Sequence, residues 1–270
     1  MLSGQLYAAI LAEFNPLEPV GPAPVYTFSV GSWQVIISNH MFMVSVAMLF
    51  LMIVIPIAVK SKSMIPRGIG NLVESVCMFL REEMARPLLR DQTDKYIGFI
   101  WSMFFFVLTL NLLGMVPSEK IIYLLTGKVN RFGGPATADI YITGAMAVVA
   151  FFMTHISGVR RQGLWHYLVN LAPKVPWWIM PMIYFLEVVT MFVRPFTLAI
   201  RLFANIIAGH ILLAILIGLI MVFKSYFVAG ISIFSIVALS LLELLVAFIQ
   251  AYIFAFLSTL YISFAVSSEH

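Results

Sequence analysis

Long apolar runs broken by short polar stretches set the pattern from Met41 onward. A helix rises about 1.5 Å per residue, so roughly 20 apolar residues cross the ~30 Å hydrocarbon core of a bilayer. Residues 41–59 meet that length and are closed by Lys60, Lys62 and Arg67. Residues 96–116 and 139–156 predict a second and a third spanning helix. Residues 66–95 differ in kind. Leu72, Val73, Val76, Phe79, Leu80 and Met84 recur at helical spacing, while Glu74, Arg81, Glu82 and Glu83 fill the other face. That pattern predicts an amphipathic helix lying on the membrane surface, as a contact for another subunit or as a plain connector.

Two later runs, 181–223 and 227–266, exceed what one upright span needs. Each is either two short spans or one steeply tilted helix. Neither contains a strong turn, and Gly209 and Gly218 stand isolated. The reading adopted is a hairpin of two long tilted helices with Lys224–Tyr226 at its tip. The expected fold is thus an all-α integral membrane protein with about five membrane helices in one membrane domain, 1–270. Residues 1–39 carry Pro16, Pro19, Pro22 and Pro24, which preclude a long helix, and read as a segment outside the membrane.

Composition agrees. The chain is 62 % hydrophobic and 10 % charged, where soluble domains carry about 25 % charge. The net charge of +4 is no nucleic-acid signal, because most basic residues fall in loops. Seven lie in 60–95 and three in 160–174, against Lys120, Lys128, Arg131 and Lys224 on the opposite side. The positive-inside rule then predicts an outer N-terminus and an inner C-terminus. Trp165, Trp177 and Trp178 suit interfacial anchors. The single cysteine, Cys77, excludes an internal disulfide and a multi-cysteine metal site. The first residues show no signal-peptide pattern. No Gly-rich phosphate loop is present, so no ATP site, cofactor or metal is expected.

Charged residues inside an apolar run need a partner or a task. Glu187, Arg194 and Arg201 are spaced by seven and share a helix face, with Asn205 four residues beyond Arg201. Arg201 is too deep for its side chain to reach the interface, and no acid lies at i±3 or i±4. Glu243 and Gln250, again seven apart, form a stripe on the last helix. In an antiparallel hairpin centred on Ser225, His210 falls near Glu243 and Arg201 near Gln250. A buried acid–imidazole pair suits a proton relay. A guanidinium keeps its proton, so Arg201 acts instead as a fixed charge that attracts a carboxylate from another chain.

The segment RLFANIIAGH (201–210) resembles the signature of subunit a of the F-type ATP synthase. LLELLVAFIQAYIFAFLSTLYIS (241–263) resembles that family's second signature, and SNH (38–40) and PATADI (135–140) its helix entries. The resemblance implies a non-catalytic, proton-translocating subunit whose last two helices lie almost in the membrane plane, curved against a rotating ring. It implies a ring of c subunits as the carboxylate donor, b subunits of the peripheral stalk and the rest of the synthase as partners. Site residues follow: Asn111, His210 and Glu243 on an outer proton path, Arg201 with Asn205 and Gln250 at the ring, and Glu187 on an inner path. Some relatives carry sodium. The His210–Glu243 order resembles many mitochondrial forms, whereas the tail SSEH looks bacterial, so a bacterial inner membrane is expected first and a mitochondrial one second. The alternatives are a secondary transporter or channel acting alone, which would need its own pocket between repeats, and a membrane scaffold, which leaves Arg201 without a role.

Overall fold

The computed structural model describes residues 24–30, 33–59, 68–116, 133–169 and 176–266. The basic closure Lys60–Arg67, the loop 117–132, Lys174 and the tail Ser267–His270 lie outside the described residues, as do residues 1–23. Two strands open the described chain, β1 (Pro24–Val30) and β2 (Trp33–Ser38), paired antiparallel with Thr27 opposite Ile36 and Ser29 opposite Gln34. The sequence reading took 1–39 as a segment outside the membrane without a long helix, and assigned it no strands. Yet YTFS and WQVII are rich in the aromatic and β-branched residues that favour a pleated backbone, and the upstream prolines drew attention away from them.

Helix α1 (Asn39–Val59) follows directly. The Ser38 hydroxyl accepts the backbone N–H of Met41 at 3.3 Å, the geometry of an N-cap. Next come α2 (Ile69–Phe79), a π-helical turn (Leu80–Ala85), α3 (Arg86–Leu89) and a 3₁₀ turn (Arg90–Gln92). Helix α4 (Thr93–Met115) then begins, with the Thr93 hydroxyl donating to the Arg90 carbonyl at 2.6 Å. Arg90 sits at φ 48°, a left-handed conformation that interrupts the helix between the charged and the apolar stretches.

Helix α5 (Ile140–Gln162) runs past the expected end at Ile156. Hydropathy falls there but helix-compatible residues continue, and Arg160 and Arg161 in the last turn complement the helix dipole. Gly163, at φ 80°, ends it in the left-handed cap conformation. A short helix, α6 (Leu164–Val169), follows, and then α7 (Met180–Phe223) and α8 (Tyr226–Val266). At 44 and 41 residues these two are continuous helices, roughly 66 and 62 Å long by rise. Lys224, at φ 44°, and Ser225 join them. Five helical stretches among the described residues are long and apolar enough to cross a membrane, the second covering Gly70–Met115. The protein is an all-α membrane protein carrying one small β-hairpin.

The chain divides into two compact units. One takes the described residues of 1–44, 110–139 and 202–248. In it Asn39 donates to the Gly133 carbonyl at 2.7 Å, the fully buried His40 lies 3.4 Å from Asp139, and Ile206 and Ile207 pack on Ala138. The other takes 45–109, 140–201 and the described residues of 249–270. There the hydroxyl of Ser263 donates to the Leu88 carbonyl at 2.6 Å and Gln162 to that of Ala265 at 3.0 Å, which tie α8 to the α3 and α5 segments. Phe151 stacks on Phe192 with ring centroids 5.8 Å apart. Along α7 and α8 many large apolar side chains face outward, among them Phe185, Phe192, Phe196, Phe234, Leu241 and Leu245. Such a surface is stable only against lipid or another apolar protein.

Candidate functional site

Ionisable side chains inside these helices gather in two clusters, one in each unit. In the first unit, His210 of α7 and Glu243 of α8 face each other with Nε2 and Oε1 4.0 Å apart. Both are mostly buried, with side-chain exposures of 20 % and 9 %. The gap is too long for a direct hydrogen bond and suits a charge contact or a single bridging water. Gly209 makes this approach possible, because a Cβ built there would lie 2.6 Å from Glu243 Oε1. The helical hairpin brings the two residues to one level, and the missing side chain lets the carboxylate reach the α7 backbone.

Asn111, near the end of α4, is fully buried, and its amide donates to the Ala247 carbonyl at 3.5 Å. Ala247 lies four residues after Glu243, so Asn111 is anchored one turn along α8 from the carboxylate. Asn111 Oδ1, His210 Nε2 and Glu243 Oε1 are buried and meet no hydrogen-bond partner among the described residues. Buried polar atoms normally find a partner, and these three find none among the described residues. Asn205, a turn after Arg201, is half-buried.

In the second unit Glu187 and Arg194 form an ion pair at 3.0 Å, each about a third exposed. The Arg194 guanidinium also lies over the Tyr261 ring, 5.1 Å from its centroid, a cation–π contact. Arg201 is exposed and makes no hydrogen bond or ion pair among the described residues. Gln250 is buried, and no hydrogen bond joins it to Arg201. Equal distance from a hairpin tip sets the level of two side chains but not their rotation about the helix axes. Arg201 faces outward here, and Gln250 faces in.

The sequence reading passed over His155 and Tyr167. His155 Nδ1 and the Tyr167 hydroxyl are 2.5 Å apart, joining α5 to α6. Gly158 supplies the space, since a Cβ there would strike the Tyr167 ring. Burial pushes the Tyr167 hydroxyl above its usual range, so it stays protonated at neutral pH. The signal was a lone histidine within the apolar run AFFMTHISG, the kind of intramembrane ionisable residue that asks for a partner. No group of three or more His, Cys, Asp or Glu suited to a metal occurs among the described residues.

Five membrane-length helices, the two longest carrying ionisable side chains along their apolar length, define a multi-pass α-helical membrane protein. A family model, the ATP synthase A chain, matches residues 40–263. The chain belongs to that family. It is 33 % identical to an ATP synthase subunit a of Chloroherpeton thalassium over 265 residues, 95 % of this chain and 74 % of that protein. It is 38 % identical to that of Myxococcus xanthus over 245 residues, 89 % and 76 % of the two chains. It is 34 % identical to ATP synthase subunit a 2 of Chlorobaculum tepidum over 254 residues, 92 % and 68 %.

Proposed function

We propose that the chain carries protons through the membrane sector of an F-type ATP synthase and couples their passage to rotation of a c-subunit ring. The observation that carries the proposal is Arg201. It sits 21 residues from one end of α7 and 22 from the other, exposed and without a partner among the described residues. A lone guanidinium at bilayer depth costs at least about 2.5–3.5 kcal/mol. It persists where a carboxylate from another chain meets it, and a ring of c subunits with one intramembrane acid each supplies such a group. Arg201 lowers the proton affinity of that acid as it arrives. Arg201 cannot relay the proton itself, so it also separates an inlet from an outlet.

The inlet reading rests on Asn111, His210 and Glu243, whose unmet hydrogen-bonding capacity water would satisfy. Glu187, fourteen residues before Arg201 in α7, serves the inner path. Asn205 and Gln250 flank the arginine's level. The described part of the amphipathic stretch, 68–95, is assigned to the inner membrane surface, where with the b subunits it would hold the chain still against the ring. The membrane is that of a bacterial cell, given the organisms of the relatives.

The test is Arg201→Ala in the assembled complex. ATP-driven pumping should vanish while passive proton conductance persists in membranes stripped of the soluble head. Retained pumping at the normal rate would overturn the assignment and reopen the transporter and scaffold readings.

A further inference from the structure

A cavity of about 30 Å³ lies within the second unit. Its lining includes Thr154 and His155 of α5, Met191, Arg194 and Pro195 of α7, and Tyr261 of α8. About 10–15 Å³ is enough to admit one water, provided two or more polar groups hold it. Among the lining residues His155, Arg194 and Tyr261 carry polar groups. Pro195 adds another. It has no N–H, so the Met191 carbonyl four residues earlier loses its helical donor. In a membrane such freed carbonyls are satisfied by side chains or ordered water.

His155 is held by contacts from α6 and from its own helix. Its Nδ1 is taken by the Tyr167 hydroxyl, which fixes the ring's orientation and leaves Nε2 as the free nitrogen. Phe151 stands edge-on against the ring, with centroids 4.2 Å apart. Arg194, paired to Glu187, lines the same cavity. From the elements packed against it, the charged or titratable groups facing this site are Glu187 and Arg194 of α7, Tyr167 of α6 and Tyr261 of α8.

We infer that His155 is a further proton-holding group on the inner path, reached from Glu187 through water in this cavity, with Tyr167 as its positioning residue. A proton released near Glu187 passes to a cavity water and binds Nε2, forming the imidazolium. In the neutral ring Nδ1 already carries its hydrogen and donates it to the Tyr167 oxygen, so Nε2 is the nitrogen that gains and loses the proton. The ring afterwards releases one proton toward the inner side and returns to neutrality, so no charge accumulates on the pair. The inference rests on the proton-translocating role proposed above.

The test uses membranes bearing the complete complex, then stripped of the soluble head. His155→Gln keeps a hydrogen-bonding group against Tyr167 but cannot take up a proton. Assembly should be unchanged while passive proton conductance falls several-fold and the ratio of conductance in H₂O to that in D₂O shifts. Tyr167→Phe keeps the ring against Gly158 and removes only the hydroxyl. It should show a smaller loss in the same direction, and it decides the matter if His155→Gln does not assemble. Wild-type conductance and an unchanged isotope ratio in the assembled variants would overturn the inference. Arg201→Ala in the same preparation keeps the two claims apart. If it pumps normally, the translocating role itself has failed. If it fails to pump while the His155 and Tyr167 variants conduct normally, only this inference has failed.

Discussion

Replacing Gly209 by alanine tests the His210–Glu243 pair without touching either residue. The new Cβ would lie 2.6 Å from Glu243 Oε1 and 3.1 Å from Cδ. Ordinary contacts begin near 3.5 Å, so the carboxylate must retreat by roughly 0.9 Å. It is the far end of a flexible side chain and can do so by leaving its rotamer, at about 0.5–1.5 kcal/mol. Alanine in place of glycine inside a helix returns about 1 kcal/mol. Stability and assembly should therefore stay near wild type. Function should not, because an offset of about 1 Å between reacting groups can slow a step by up to ~10²-fold. The assay is ATP-driven proton pumping in inverted vesicles, normalised to the amount of assembled complex. A strong loss is expected, with partial recovery on adding Glu243→Asp, whose shorter side chain draws the carboxylate back. Normal pumping by assembled Gly209→Ala would refute the claim that this close approach matters.

Two further substitutions probe the frame that holds the site. His40→Ala removes the fully buried partner of Asp139 and should lower stability by roughly 3 kcal/mol, read as earlier loss of the folded chain on heating in detergent. Arg90→Gly relieves a left-handed residue at φ 48° and should stabilise by about 1 kcal/mol in the same assay. An unchanged midpoint in either variant would count against the corresponding account.

The long helices were legible because nothing interrupts them. Two apolar runs meet at one charged residue, and Lys224 and Ser225 are where the chain turns. A short symmetric turn then makes residue numbers predict levels, which is why His210 and Glu243 could be placed together from spacing alone. Rotation about each axis was not legible. It depends on how neighbouring side chains pack, and it decides that Arg201 faces outward and Gln250 inward. His155 and Tyr167 escaped notice for a related reason. Their contact depends on the left-handed Gly163, at φ 80°, folding α6 back onto Gly158, and a spacing pattern carries no such reversal. The β-hairpin was lost because alternation over six or seven residues is a weak signal beside four prolines.

The turn at Lys224–Ser225 is also the fulcrum of a lever. His210 lies fourteen residues from Lys224, about 21 Å along the helix by rise. A change of about 10° in the angle between the helices would carry His210 roughly 4 Å relative to α8 over that arm. That equals the whole 4.0 Å separation between the imidazole and the carboxylate. A two-residue joint is far too small to hold an angle that finely. The alignment must come from side-chain contacts along α7 and α8 themselves, so the pair is set by packing as much as by the turn.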